Sequence, residues 1–427
     1  MARNQLAPVR KEPYFYHAVG DIKMVHGDGL YLYAKDDETP YLDCASGTFN
    51  LPFGHNPANV IAAAKQQLDR LAYISSSFHS DPVDELAKLI TELTPDNLTS
   101  VHLRSPGGST ANEGAIRIAQ YATGKSDVIG LFRGHMGQTI ATTAASGYAA
   151  RRAPFPNTSS GFLHVPAPYC YRCFYNSVAE ECGFACVDRI SDFIRYASSG
   201  NVAAIMVEPV MATGGTIVPP KGYFEELKQF CEDQDIILIF DEVQTGFGRC
   251  GTMFAADHFG VSPHIMTLAK GISGIGMPIG AIVTEARLEG LERLYHGFTN
   301  GGHVVSAAAA VETIKMLSAP GFLQRVARQG EKLKAGLEQV VARFQWLADA
   351  RGVGMMLGFE CVYPDTGAAD NTRALKLQKE MLQQRVITRV SEYSQGNAIE
   401  IRPPLTLSDE EIDLVLRKIE TACQNVT

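Results

Sequence analysis

The chain has 427 residues, of which 45% are apolar and 20% are charged. These fractions are typical of folded globular proteins and exclude a disordered or fibrous chain. The length predicts two or three domains' worth of chain, or one large domain with a smaller one. The formal charge is −8, from 38 Lys and Arg against 46 Asp and Glu, and there is no basic run. Nucleic acid and anionic membranes are therefore not expected as partners.

The first thirty residues carry several charges and lack the apolar stretch of a secretory signal. No window of the sequence reaches the ~18 uninterrupted apolar residues of a membrane-spanning helix. We therefore expect a soluble, cytoplasmic protein.

Four of the nine cysteines lie close together in the sequence, as Cys170, Cys173, Cys182 and Cys186. Two close pairs with a short spacer can hold zinc. The alternative is a thiol-rich surface loop, because the spacer is shorter than in a zinc ribbon and no neighbouring motif needs a structural metal. We favour the loop and expect no metal.

The N-terminal region predicts an arm followed by a β-hairpin. Strand-like runs, Gly29 to Ala34 and Tyr41 to Asp43, flank the acidic turn Asp36-Asp37-Glu38. Two amphipathic helices follow, from Asn56-Pro57 to Leu71 and from Asp81-Pro82 to Leu93, and each begins with a polar residue and a proline.

Short, β-branched apolar runs then alternate with helix-like segments. These runs span 128–132, 202–207, 236–240, 265–268 and 279–283. Such runs suit parallel strands that are buried on both faces, with helices such as Tyr223 to Gln234 crossing between them. After about residue 304 the pattern indicates two long helices, a strand near 354–362, and terminal helices at 373–384 and 409–424.

The predicted fold class is α/β, with a large, mainly parallel sheet domain and a smaller α+β domain built from both chain ends. We expect residues 1–50 to form an N-terminal arm and part of the small domain. Residues 51–303 would form the large domain, and residues 304–427 the C-terminal small domain.

The strongest chemical signal is a carboxylate and a lysine that each follow an apolar strand. Asp241 ends the run before Glu242-Val243-Gln244, and Lys270 follows Leu268-Ala269. Ligand groups in α/β proteins gather at such strand ends. A lysine that forms a Schiff base and a carboxylate that keeps a pyridine nitrogen protonated are the two requirements of a pyridoxal phosphate (PLP) site. Taken singly, each residue is more often a helix cap or a solvated cation.

A third feature supports the PLP site. The segment from Ser105 to Glu113 reads Ser-Pro-Gly-Gly-Ser-Thr-Ala-Asn-Glu and leads into a helix predicted over Glu113 to Thr123. Free backbone amides at a helix start, with the helix dipole behind them, bind a phosphate well. A glycine-rich helix entry alone is a weak motif, because many such entries only turn the chain.

In this order, the motifs resemble the class III, ω-type aminotransferases of PLP fold type I. The resemblance rests on the Asp241-Glu-Val-Gln-Thr-Gly block with Lys270 following 29 residues later, and it runs from about residue 15 to the last helix. The stretch from Ser199 to Ala204 also looks like the dialkylglycine decarboxylase branch of the family. The resemblance implies the PLP fold, with PLP bound by the large domain.

The resemblance also assigns roles around the phosphate. Gly108 and Ser109 match the pair whose amides hold it. Thr299 matches a threonine that reaches the phosphate in the partner subunit, which implies a homodimer. Small-molecule amines and keto compounds are the implied substrates.

Five further positions match residues around the cofactor ring and the substrate. Lys270 matches the Schiff-base lysine, and Asp241 matches the partner of the pyridine nitrogen. Val243 matches the apolar wall on one ring face, and Gln244 the donor to the ring hydroxyl. Glu208 matches an acidic residue on the substrate side.

Several positions depart from the family pattern. His135 stands where most relatives have an aromatic ring that stacks on the cofactor, and an imidazole can stack and also form hydrogen bonds. The alternative is that His135 and Met136 only pack the loop. Thr110 replaces a usual Glu, and His303-Val304 replaces Asn-Pro.

The most consequential departure lies in the substrate pocket. Glu400 occupies the position of an arginine that clamps the substrate α-carboxylate in many relatives, and Arg402 lies two residues further on. A carboxylate there reverses the charge preference, which favours an amino sugar, a diamine or another amine that is not an α-amino acid. The alternative is that Arg402 restores the clamp and ordinary ω-amino acids are used.

The leading hypothesis is an aminotransferase that moves an amino group between an amino-acid donor and such a substrate. A second hypothesis keeps PLP and changes the reaction to decarboxylation with transamination, amino-group migration or epimerisation. A third is a catalytically inactive scaffold, which the presence of Lys270, Asp241 and the phosphate turn argues against.

Overall fold

A computed structural model describes residues 22–35, 37–155, 159–288, 291 and 295–426. The predicted N-terminal arm up to residue 21, and Asp36 of the predicted hairpin turn, lie outside the described residues. Within these ranges, no helix has both the length and the apolar character needed to cross a bilayer.

The strands are β1 Met24–Asp28, β2 Tyr31–Ala34, β3 Tyr41–Asp43, β4 Leu98–Ser105, β5 Asp127–Leu131, β6 Phe162–Val165, β7 Val202–Val207, β8 Ile237–Asp241, β9 Ile265–Leu268, β10 Gly280–Glu285, β11 Leu347–Val353, β12 Met356–Cys361, β13 Val386–Ile387, β14 Arg389–Val390 and β15 Ala398–Ile401.

Helices alternate with these strands along the described parts of the chain. They are α1 Ser46–Phe49, α2 Ala58–Arg70, α3 Asp81–Leu93, α4 Gly108–Thr123, α5 Ile140–Ala145, α6 Ala149–Arg152, α7 Ala185–Asp188, α8 Ile190–Ala197, α9 Tyr223–Asp233, α10 Ala255–Phe259, α11 Val304–Leu317, α12 Phe322–Arg343, α13 Asn371–Gln383, α14 Ser391–Ser394 and α15 Asp409–Asn425. The predicted helix after the glycine turn begins five residues earlier than expected, at Gly108 instead of Glu113.

A seven-stranded sheet in the order β4-β10-β9-β8-β7-β5-β6 forms the centre of the fold. The strands from β9 to β6 run parallel, as the apolar runs predicted for β5, β7, β8 and β9, whereas β6 was not predicted. Every residue of β7, β8 and β9 is buried. The expectation that the run at 279–283 is also parallel is wrong, because β10 pairs antiparallel with both β9 and β4. Burial on both faces gives the same apolar pattern in either direction, so composition does not reveal this reversal.

Two smaller sheets lie outside the large one. The strand predicted near 354–362 is confirmed as β12, and β11, which was not predicted, pairs antiparallel with it around Gly354 in a left-handed conformation. Strands β15 and β14 continue that sheet. In the third sheet β13, from the C-terminal region, pairs parallel with β3 of the N-terminal hairpin. Segments of the N-terminal and C-terminal regions therefore share one sheet.

Aromatic packing under β8 fixes the strand end that carries Asp241. Phe240 lies 4.8 Å, between ring centroids, from Phe224 of α9, and both side chains are fully buried. Burial of two such rings stabilises the fold by several kcal/mol, at about 1.5–3 kcal/mol for each side chain. The position of the site therefore depends on a rigid strand instead of a loop.

Candidate active site

A cavity of about 380 Å³ opens at the carboxyl ends of the parallel strands, where α/β folds place their ligands. It brings together most of the residues predicted from the sequence. Those that line it are Gly108, Ser109, His135, Asp241, Val243, Gln244, Lys270, Glu400 and Arg402.

The Asp241 carboxylate at the end of β8 lies at the base of the cavity. Its oxygens accept hydrogen bonds from the Asn112 side chain at 2.7 Å and from the Val243 backbone N–H at 3.0 Å. Asn112 is itself held, since its amide oxygen accepts from the Thr267 hydroxyl at 2.6 Å. Burial raises the pKa of Asp241 to about 6, and the positive charge of Lys270 opposes that rise. A fixed, buried carboxylate of this kind fits a protonated ring nitrogen.

Lys270 begins a short 3₁₀ turn after β9 and has a left-handed backbone, with φ of 49°. Non-glycine residues in that conformation often mark functional sites. Burial lowers the pKa of Lys270 to about 8, while Asp241 and Glu208 oppose the change. About a tenth of the lysine is therefore the neutral, nucleophilic amine at pH 7, far more than for a lysine with the ordinary pKa of about 10.4.

The N-terminus of α4, where the sequence predicts an anion site, lies at the cavity. A Cβ on Gly108 would lie 2.7 Å from a Val243 methyl group, so the tight approach of helix and strand end requires glycine. The Ser109 hydroxyl accepts from the Gln138 backbone N–H at 3.1 Å. Thr110, a departure from the family pattern, donates its hydroxyl to the Gly107 carbonyl at 2.8 Å.

Glu208 lies behind the groups that line the cavity. Its carboxylate accepts from the His135 backbone N–H at 2.8 Å and from the Gln244 side chain at 3.1 Å. Burial and the nearby Asp241 raise the pKa of Glu208 to about 8, and hydrogen bonds from His135 and Ala212 oppose the rise. Glu208 thereby ties together two of the groups that face the cavity.

His135 has a partner that sequence reasoning missed. Its Nε2 lies 3.0 Å from the Tyr393 hydroxyl, and the two rings meet edge to face with centroids 5.5 Å apart. The Arg151 guanidinium covers the Tyr393 ring at 3.6 Å. Burial, helped by Arg151 and Lys270, lowers the pKa of His135 to about 3, so the imidazole is neutral.

Tyr393 belongs to α14, which is a strained turn with left-handed residues and not a regular helix. Glu392, Tyr393 and Ser394 all have positive φ, at 52°, 52° and 70°. An ion pair between Glu392 and Arg133, with atoms 2.9 Å apart, helps to hold the turn. Three consecutive left-handed residues other than glycine have no signature in the sequence, which explains why Tyr393 was missed.

Glu400 and Arg402 are both buried and form an ion pair, with Glu400 Oε2 2.6 Å from Arg402 Nη2. The Arg402 guanidinium also lies 4.0 Å from the centre of the Phe49 ring. Burial lowers the pKa of Arg402 to about 10 and raises that of Glu400, and each charge opposes the shift of the other. Arg402, which on the alternative prediction restores the carboxylate clamp, is thus paired with Glu400.

Thr299 does not line the cavity. It is exposed, and its backbone carbonyl accepts from the Tyr73 hydroxyl at 2.9 Å. His303 and Val304, which also depart from the family pattern, stand at the start of α11.

The cysteine cluster lies away from the cavity. Cys170, Cys173, Cys182 and Cys186 line a separate recess of about 20 Å³, and all four are free thiols. Burial raises the pKa of Cys186 to about 12, which disfavours a thiolate. The part of the chain that the structure describes holds no cluster of side chains suited to a metal ion.

The strand-end carboxylate, the partly neutral lysine and the glycine-rich helix start fit the ring nitrogen, aldehyde and phosphate of PLP. A large parallel sheet with this site defines a PLP-dependent enzyme of fold type I. A family model described as aminotransferase class III matches residues 15–423, and the chain belongs to that family. It is a PLP-dependent aminotransferase.

Named relatives and solved structures agree with this membership. An acetylornithine aminotransferase of Methanothermobacter thermautotrophicus is 35% identical, over 92% of this chain and 91% of the relative. A leucine/methionine racemase of Thermococcus litoralis is 31% identical, over 91% and 88%. A PLP-bound amine transaminase from an uncultivated Pseudomonas species superposes with a TM-score of 0.90 at 29% identity, over 97% of this chain and 99% of that one.

Proposed function

We propose that this aminotransferase holds PLP through four groups of the cavity. Lys270 Nζ carries the cofactor covalently, Asp241 binds the ring nitrogen, and the amides of Gly108 and Ser109 bind the phosphate. PLP, when bound, supplies the electron sink that makes the amine-bearing carbon of the donor acidic. The position of Lys270 and Asp241 at adjacent strand ends supports this assignment most directly.

Lys270 also moves the proton at the donor carbon. Its amine has a pKa of about 8 because of burial, so both protonation states are populated near neutral pH. One side chain therefore serves as base and as acid, and no separate Ser-His-Asp arrangement is needed.

Val243 and His135 would cover the two faces of the cofactor ring, and Gln244 would donate to its hydroxyl. His135 suits a stacking role because it is neutral and its Nε2 is occupied by Tyr393. Glu208 supports this arrangement through its bonds to the His135 backbone and Gln244.

The amine substrate that we propose is not a plain α-amino acid; amino sugars and diamines belong to this class. Glu400 replaces the arginine that clamps an α-carboxylate in many relatives, and its pairing with Arg402 removes both charges from that role. One relative acts, by its name, on acetylornithine, which agrees with an amine donor other than a simple α-amino acid.

A panel of donors tests this function. The purified holoenzyme is mixed with single donors (glutamate, alanine, γ-aminobutyrate, a diamine and an amino sugar), and the visible absorbance of the bound cofactor is followed. We expect lasting loss of the band with a diamine or an amino sugar. Loss with α-amino acids alone would contradict the substrate class. A band that persists while the α-hydrogen of an amino acid exchanges with solvent deuterium would favour epimerisation, as the name of the racemase relative suggests.

The assembly and the domain division belong to the same proposal. We infer a homodimer in which Thr299 completes the phosphate site of the partner subunit, because Thr299 is exposed and outside its own cavity.

Residues 51–303 would form the large domain, and residues 1–50 with 304–427 would form the small one, in agreement with the β3–β13 pairing. Nine free thiols fit a reducing, cytoplasmic location.

A further inference from the structure

Arg389 is a cation of the cavity that the sequence analysis did not single out. It lines the cavity from β14, is half-buried, and stands directly opposite Glu400 in the antiparallel pairing of β14 with β15. Side chains that face each other across such a pair lie on the same side of the sheet. Arg389 therefore faces the same part of the cavity as Glu400 and Arg402.

The charges of Arg389, Glu400 and Arg402 sum to one net positive charge. Glu400 and Arg402 pair at 2.6 Å and cancel. Across the described segments, no carboxylate oxygen lies within 4.0 Å of the Arg389 guanidinium. Its described hydrogen bonds go to the Thr48 hydroxyl at 3.2 Å and the Gly47 carbonyl at 3.4 Å, and both use Nη2. Nε and Nη1 remain for a ligand.

We propose that Arg389 is the specificity-determining residue that binds the carboxylate of the substrate, while Glu400 and Arg402 neutralise each other. The proposal rests on the aminotransferase function given above and concerns the amino-acid or keto-acid partner of the reaction. An arginine fork matches a carboxylate in shape and charge, and the bond to Thr48 fixes the position of the fork.

Arg402 is less suited to this task than Arg389. Glu400 already neutralises Arg402 at 2.6 Å, so a substrate carboxylate bound there would place two buried carboxylates against one guanidinium. An uncompensated buried charge costs more than a new charged hydrogen bond gains. Arg389 breaks no ion pair among the described residues when a carboxylate arrives.

The position of Arg389 also explains how this chain replaces the arginine that clamps the substrate carboxylate in many relatives. Glu400 occupies the place of that arginine on β15, and the positive charge is supplied from the neighbouring strand, directly across the pair. The carboxylate would therefore bind on the β14 side of the cavity.

The test compares Arg389→Gln and Arg389→Lys with Arg417→Gln, an exposed arginine of α15 far from the cavity. Binding of glutarate to the holoenzyme is measured by calorimetry. Loss of the visible cofactor band on mixing with γ-aminobutyrate, or with butylamine, which lacks the carboxylate, is measured as a half-reaction without a keto-acid acceptor. We expect Arg389→Gln to weaken glutarate binding and to raise the half-saturating concentration of γ-aminobutyrate by about tenfold to a hundredfold. The rate of the butylamine half-reaction should stay unchanged because no carboxylate takes part, and Arg389→Lys should show a smaller loss because it keeps the charge without the fork.

Unchanged glutarate affinity in both Arg389 variants, or no glutarate binding by the unmodified enzyme, would overturn the proposal. If Arg389→Gln does not fold, Arg389→Lys decides alone. If no donor is turned over but glutarate binding still falls, the proposed substrate range fails and the role of Arg389 stands.

Discussion

At the scale of the residue, the chemistry depends on how burial sets the charge of Lys270. Removal from water favours the neutral amine, and the carboxylates of Asp241 and Glu208 oppose this effect. The resulting pKa of about 8 lies more than two units below the ordinary lysine value of about 10.4. The same two carboxylates have raised pKa values because they are buried together.

The lowered pKa of Lys270 predicts how the rate of cofactor attachment depends on pH. Only the neutral amine reacts with the aldehyde, and its fraction rises with pH until it levels above the pKa. The rate at which apoprotein gains the visible band on mixing with PLP should therefore rise from pH 7 and level off near pH 9. Stopped-flow absorbance across pH 6–10 measures this rate.

An exposed lysine provides the control for that measurement. Lys376→Ala, on the outer face of α13, should leave the profile unchanged. A rate that still rises steeply between pH 9 and pH 10 would show an ordinary lysine pKa and contradict the prediction.

At the scale of the element, the start of α4 must approach the end of β8 closely enough for Gly108 to meet Val243. A methyl group on Gly108 would lie 2.7 Å and 3.1 Å from the two Val243 methyl groups. Either the helix start or the proposed ring wall must then move.

Gly108→Ala should consequently weaken PLP binding to the apoprotein by about tenfold, which corresponds to the loss of about one charged hydrogen bond. Calorimetric titration with PLP, and with inorganic phosphate as a probe of the helix start alone, measures the loss. Gly124→Ala is the matched control at the other end of α4, where φ is +66° and no atom lies within 4 Å of the new Cβ. It should cost about 1 kcal/mol in the free energy of unfolding without changing PLP affinity. Equal losses of affinity in both variants would show a general helix effect.

The same element shows what a sequence can predict here. The glycine turn, Asp241 and Lys270 are local patterns whose chemistry follows from position after a strand, and the structure brings them together. Tyr393 and Arg389 depend on a left-handed turn and on the register of a two-residue strand. Neither feature has a local propensity, because both result from packing between distant segments.

At the scale of the whole molecule, the position of Thr299 predicts that one active site contains residues of two chains. Lys270→Ala alone should be inactive, and Thr299→Ala alone should lose part of its activity. In a heterodimer of the two variants, the site with an intact Lys270 receives Thr299 from the other chain, so one site of the two is complete.

Random exchange makes about half of the dimers mixed, and each mixed dimer has one complete site of two. Mixing the variants under conditions that exchange subunits should therefore give about a quarter of the activity of the unmodified enzyme, plus about a quarter of the residual activity of Thr299→Ala. Activity is assayed with the best donor of the panel. A mixture no more active than the average of its components, with exchange verified by differently tagged chains, would place Thr299 in its own site or outside both.

The buried Arg249 has a consequence for how the protein is made. Its side chain donates to the carbonyls of Met355 and Pro403 and to the Ser46 hydroxyl, so it joins three distant parts of the chain. Burial lowers its pKa to about 9. During synthesis the first two acceptors emerge from the ribosome only after another hundred residues or more, and until then this guanidinium needs water in their place. The large sheet can form early, but the final closure of its surroundings must wait for the C-terminal segment to be synthesised.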